Sequence, residues 1–163
     1  MHSTYLRHWP LFQRFRVLIA VGLSALLVLA CSRESLPLAS GETLSLSQLQ
    51  DKTLVVNVWA EWCAPCREEI PELNAMMEAS DLIVVGIDFD RHPADKLPSV
   101  LSRMGIAFPQ LAAEAEARWS LAPPTGLPVT YLIDEGRQVR AILKGPQTRH
   151  SIRDALAKAP LPE

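Results

Sequence analysis

Leu54-Val55-Val56-Asn57-Val58-Trp59-Ala60-Glu61-Trp62-Cys63-Ala64-Pro65-Cys66-Arg67-Glu68-Glu69-Ile70-Pro71 is the stretch from which the rest of the chain is read. Thr53 to Val58 is an apolar run of the kind found where a sheet is covered on both faces. After the cysteines, Glu, Leu, Met and Ala follow one another in a helical pattern as far as Ala79, with Leu73, Met76 and Met77 facing inward. Two cysteines therefore sit where a strand ends and a helix begins. A helix start offers unpaired N–H groups and the positive end of the macrodipole. A thiolate placed there is stabilised, and its pKa falls from about 8.5 toward roughly 7 or lower. Cys63 falls at or just before the first turn, and Cys66 one turn deeper on the same face. The pair can close a short disulfide and open it again.

Two other readings compete. A zinc site needs more ligands, yet there is no second Cys-x-x-Cys, and His2, His8, His92 and His150 are scattered. A purely structural bridge gains little, because so small a ring closes little chain entropy. Redox chemistry is the preferred reading.

Trp59 to Arg67 resembles the active site of the thioredoxin superfamily. The continuation, Arg67-Glu68-Glu69-Ile70-Pro71-Glu72-Leu73, is similar to its exported, membrane-tethered TlpA/ResA branch. The likeness runs from about Gly41 to Lys158. It implies a thioredoxin-like α/β fold, a mixed central sheet flanked by helices. It also implies a thiol-disulfide oxidoreductase, with a Cys63–Cys66 disulfide when oxidised. In that scheme Cys63, the more exposed residue, attacks a substrate disulfide and Cys66 resolves the mixed disulfide. Trp59 packs the floor of the site and Trp62 its rim.

A second stretch, Gly126-Leu127-Pro128-Val129-Thr130-Tyr131-Leu132-Ile133-Asp134, resembles the family's cis-proline loop and following strand. The resemblance makes Pro128 a cis-proline packed against the cysteines, the alternative being a trans turn proline. It makes the backbone of Leu127 a partner for the substrate chain, with Trp62, Ala64 and Pro65 on the same substrate-binding surface. Pro123-Pro124-Thr125 lengthens this loop relative to the family.

Asn57 stands where thioredoxin itself has a buried aspartate that moves protons to and from the deeper cysteine. Asn57 cannot titrate, and its plain reading is a satisfied core amide. The exported branch supplies an acid three residues after the second cysteine, which here is Glu69. The competing reading makes Glu69 a surface residue beside Glu68 and Glu72. Pro71 removes a backbone donor and is expected to kink the helix, as in the family.

No organic cofactor or metal is implied. The partners implied are protein disulfides as substrates and a membrane protein that passes electrons outward as the reductant. Pro65 as second residue between the cysteines resembles reducing members. An oxidant of the same fold is one alternative. A copper-handling cytochrome oxidase assembly module is the other, and it would bring His92 or His150 close to Cys63. Apocytochrome c, a copper-site protein and a general disulfide pool all remain open as substrates.

The chain has 163 residues and a formal charge of −2, so it fits one domain, expected as a monomer, with no nucleic-acid footprint. Arg7, Arg14 and Arg16 precede an unbroken apolar run from Val17 to Ala30. That is the length of a signal h-region, and short of the ~20 residues of a membrane span. It shows no polar face, as a core helix would. Residues 1–30 therefore read as a signal, and Val28-Leu29-Ala30-Cys31 resembles a bacterial lipobox with Leu29 as its departure. Lipidation of Cys31 leaves the other two of the three cysteines as the redox pair. An uncleaved anchor and ordinary cleavage are the alternatives. Lipid or anchor, the domain is expected on the periplasmic side of a bacterial cell envelope, tethered to a membrane.

Residues 31–40 read as a tether and 41–163 as the domain. Glu42 to Leu46 is expected as a strand, and Gln48 to Gln50 as a helical turn capped by Ser47. Leu82 to Ile87 is a second buried strand, parallel to the first through a βαβ crossover. His92 lies in the loop that follows, read as a loop residue rather than a catalytic one. Ala94 to Met104 is a helix ended by Gly105. Ile106 to Leu111 is an edge strand broken by Pro109, and Ala112 to Leu121 a short helix with Trp119. Tyr131 to Ile133 and Gln138 to Leu143 form a hairpin. A last helix, capped by Thr148 or Ser151, runs to Lys158.

Overall fold

The computed structural model describes residues 35–116, 121, 123–134 and 136–158. The signal, Cys31 and Trp119 lie outside the described residues. In chain order the elements are β1 (Leu36–Pro37), β2 (Thr43–Leu44), α1 (Leu46–Leu49), β3 (Thr53–Trp59) and α2 (Ala64–Met76). There follow β4 (Leu82–Asp88), α3 (Leu97–Met104), α4 (Ala113–Glu116), β5 (Val129–Ile133), β6 (Val139–Lys144) and α5 (Arg149–Lys158).

The main sheet has the order β4-β3-β5-β6. β3 pairs parallel with β4 and antiparallel with β5, and β6 continues antiparallel. This is the mixed sheet flanked by helices that the sequence implied. The parallel pair follows from the crossover through α2, which returns the chain to the same edge.

Alternation along β3 sorts its side chains into two cores. Val55 and Trp59 face α2, α3 and α5, where Leu73, Met76, Val100, Met104 and Ile152 are buried. Leu54, Val56 and Val58 face the other way, onto Leu36, Leu38, Leu49, Leu111 and Ala115. The second layer shows why the chain before Gly41 does not hang free. Leu36 and Leu38, read as tether, are buried. Pro37 pairs with Thr43, and Leu38 bridges Leu111. Each leucine so covered contributes about 1.5–3 kcal/mol, enough to draw a polar segment onto the sheet.

Other differences are local. α1 begins ahead of Ser47 because Ser45 caps it, its N–H donating to Gln48 Oε1 at 2.8 Å. Met77 is exposed, not inward; it caps α2 beside Met76, which is the buried one of the two. Pro71, expected to kink the helix, lies inside the continuous α2. α3 starts at Leu97 and ends at Gly105, whose φ of 71° an L side chain rarely adopts. Residues 106–111 give only single bridges, Gln110 to Gly86 of β4 and Leu111 to Leu38, not a strand. α5 is capped by both candidates together: Ser151 N–H donates to Thr148 Oγ1, and Thr148 N–H to Ser151 Oγ. Arg153 of α5 grips both carboxylate oxygens of Asp81. Among the described residues, no helix is long and apolar enough to cross a membrane.

Candidate active site

β3 ends at Trp59, and the chain turns through Ala60, Glu61 and Trp62 into α2. Cys63 is the N-cap of that helix, with φ −82° and ψ 102°. Its Sγ accepts from the Cys66 N–H at 3.2 Å, so the sulfur takes the place of a capping oxygen. Pro65 lies in the first turn, where a missing N–H costs nothing. Cys63 and Cys66 are bonded, with Cα atoms 5.3 Å apart. Cys63 keeps 3% of its surface and Cys66 none, so an attacking group reaches Cys63 first. Ala64 beside them is exposed and Pro65 half-buried.

The Leu127–Pro128 peptide is cis, as the resemblance implied. Leu127 packs against both cores, and Pro128 is buried. Trp59 is fully buried, its Nε1 donating to Gln110 Oε1 at 2.9 Å. Trp62 is 67% exposed, its ring pinned by a bond to Asp90 Oδ1 at 3.0 Å and by the edge of Phe89. Trp59 and Trp62 thus behave as buried floor and exposed rim.

Glu69 is not a surface residue. It is buried on the sheet side of α2, and its carboxylate is held from two directions. Asn57 Nδ2 donates to Oε1 at 2.7 Å, and the Gln147 backbone N–H donates to Oε2 at 2.8 Å. Burial pushes its pKa from 4.5 up to about 7, and the two hydrogen bonds restrain the rise. A carboxyl three residues beyond Cys66 is thereby poised to exchange protons near neutral pH.

Asn57 is the hub beneath. Its Nδ2 also donates to Thr130 Oγ1 at 3.1 Å, across the β3–β5 register pair Asn57↔Thr130. Its Oδ1 is buried and has no hydrogen-bond partner among the described residues. It is therefore only half a satisfied core amide. On the other side Asn57 aligns with Gly86. A Cβ on Gly86 would lie 2.2 Å from Gln110 Oε1, so glycine there makes room for the amide that holds Trp59.

Thr130, Gln147 and Gln110 were not singled out in the sequence. Thr130 had a signal, an inward polar residue opposite Asn57 in a hairpin register. Gln147 acts through its backbone, which leaves no trace in residue type.

Neither His92 nor His150 is paired with sulfur. His92 Nδ1 lies 2.9 Å from Asp88 Oδ2, and Nε2 lies 3.8 Å from Glu61 Oε2. His150 faces Asp154 on the exposed side of α5. Asp88, Asp90 and His92 gather their potential ligand atoms within 4.8 Å, but Asp88 already accepts from the Asp90 and His92 backbone. A cavity of about 490 Å³, lined by Leu36, Lys52 and Leu54, opens at the start of β3, the end remote from Cys63.

Residues 31–142 match the AhpC/TSA family. The thiol:disulfide interchange protein HelX of Rhodobacter capsulatus is 30% identical over 71% of this chain and 66% of its own. The thiol-disulfide oxidoreductase ResA of Geobacillus kaustophilus is 26% identical over 69% of this chain and 66% of its own. The match thus spans just under two thirds of either relative. A DsbF homologue from Corynebacterium diphtheriae superposes with a TM-score of 0.61 at 23% identity, covering 76% of this chain and 82% of that one, a likeness of fold.

Proposed function

The chain belongs to the AhpC/TSA family of thioredoxin-like proteins, and from that premise we propose that it reduces protein disulfides outside the cytoplasm through the Cys63/Cys66 dithiol. The observation that carries the reading is the bonded Cys63–Cys66 pair, with Cys63 at the helix N-cap and a buried, hydrogen-bonded Glu69 on the same helix.

The Cys63 thiolate attacks one sulfur of the substrate disulfide. A Cys63–substrate bond forms, the substrate bond breaks, and the released thiolate takes a proton from solvent. Cys66 then gives its thiol proton to the Glu69 carboxylate. The Cys66 thiolate attacks Cys63 Sγ, the internal disulfide forms, and the second substrate sulfur leaves and takes up a proton. The substrate has gained two electrons, which the dithiol has lost. A membrane protein that carries electrons outward restores the dithiol. Trp62, Ala64, Pro65 and the Leu127 backbone receive the substrate chain, and Pro128 packs against the cysteine pair. The prolyl residue between the cysteines supports the reducing direction.

The apolar run from Val17 to Ala30 supports placement on the periplasmic side of a cell envelope. A lipid on Cys31 or an uncleaved anchor tethers the monomer there. The test is a Cys66→Ser variant offered to envelope proteins. It is expected to accumulate mixed disulfides through Cys63, while Cys63→Ser forms none. Adducts on Cys63→Ser in place of Cys66→Ser would reverse the roles of the two cysteines.

A further inference from the structure

Both oxygens of Glu69 face donors: Oε1 the Asn57 amide, Oε2 the Gln147 backbone N–H. That arrangement suits a carboxylate, which only accepts. It does not suit the protonated acid, whose O–H needs an acceptor. The Gln147 N–H cannot become one, and its segment is held fast: Gln147 Nε2 donates to Gly145 O at 2.8 Å, and its Oε1 accepts from Ser151 at 2.8 Å. The Asn57 amide can become one. A half-turn about its last side-chain bond exchanges Oδ1, now without a partner, for Nδ2. Oδ1 would then stand 2.7 Å from Glu69 Oε1 and 3.1 Å from Thr130 Oγ1, the distances Nδ2 has now. It would accept from the acid O–H and from the threonine hydroxyl, which rotates to serve either orientation. Each orientation makes two bonds and leaves one amide end unpaired, so the turn changes no bond count.

We propose that Asn57 is a positioning residue that turns its side-chain amide with each proton Glu69 gains or loses, keeping the carboxyl bonded and aimed in both states. The inference rests on the proton-shuttle reading of Glu69. The Oδ1 that is unpaired beside the carboxylate is the acceptor that the protonated acid would use. The turn also gives an amide at this strand position a use that a second carboxyl lacks. Two acids side by side would hold one proton between them, whereas an amide follows the proton without competing for it. Glu69 is bonded by Asn57 from β3 and by Gln147 from the segment before α5; Cys66 is buried one turn back on its own helix, and Thr130 from β5 is bonded to Asn57.

The full-length chain in detergent, labelled with ¹⁵N-asparagine, tests this directly. The chain holds two asparagines, Asn57 and Asn74, so the second is an internal control. Asn74 donates to the Gly105 carbonyl, away from Glu69. Above about pH 7 the Asn57 amide protons are expected to show a proximity signal to the Thr130 methyl. Below it that signal is lost, with the same apparent pKa as the Glu69 carboxyl carbon and with Asn74 unchanged. A signal that persists while Glu69 titrates would overturn the proposal. The readout is independent of substrate, so a protein that proved to be an oxidant would still decide this point.

Discussion

Glu69→Gln removes a buried carboxyl and keeps its shape. In the folded chain, desolvation holds the Glu69 pKa at about 7 against an ordinary 4.5, and the bonds from Gln147 and Asn57 restrain it only partly. Between those values the folded state keeps a proton that the unfolded chain has released. Stability from this group is therefore complete below about pH 4.5 and is lost as pH rises through about 7. At 1.36 kcal/mol per pH unit the gap corresponds to about 3 kcal/mol, against a usual total of about 5–15 kcal/mol. The variant's amide carries no charge at any pH and escapes the loss. Urea unfolding of oxidised wild type and variant, followed by tryptophan fluorescence from pH 4 to 8, measures it. The stability difference is expected to move by about 3 kcal/mol in favour of the variant, centred between 4.5 and about 7. Groups common to both proteins, such as the Asp81–Arg153 pair, cancel in the difference. Parallel curves, separated by a constant at every pH, would refute the burial argument.

The same substitution removes a negative charge near the cysteines, so thiolate absorbance is expected to rise at lower pH in Glu69→Gln; superimposed titrations would leave the shuttle to another group. Gly86→Ala drives a methyl into Gln110 and frees the Trp59 indole from its acceptor, a loss expected at about 1–3 kcal/mol and visible in near-ultraviolet dichroism. Wild-type stability there would mean that Gln110 swings aside freely. Intact mass of the membrane-extracted protein is expected to show a chain that begins at lipidated Cys31, and retention of residues 1–30 would favour an uncleaved anchor.

Much of this was legible because its causes are local. The apolar run of β3, the cysteines at the helix start and the Gly-Leu-Pro-Val-Thr stretch each carry their signal within a few residues. The placement of Glu69 came from resemblance, since a glutamate between Glu68 and Ile70 looks like surface until the helix is docked. What stayed hidden depends on distant pairing. Leu36 and Leu38 look like linker residues until Leu111 and the underside of the sheet come to meet them. Gln147 serves Glu69 through a backbone N–H that any residue but proline could supply. Gly86 and Gln110 acquire meaning only from each other.

A dithiol that gives electrons to substrate disulfides needs a low reduction potential. Equilibrating the protein with defined dithiothreitol redox mixtures and counting free thiols by alkylation measures its potential. A reducing Cys63–Cys66 couple is expected at about −270 mV, in the range of thioredoxin. A value of about −120 mV, in the range of strong oxidants, would contradict it.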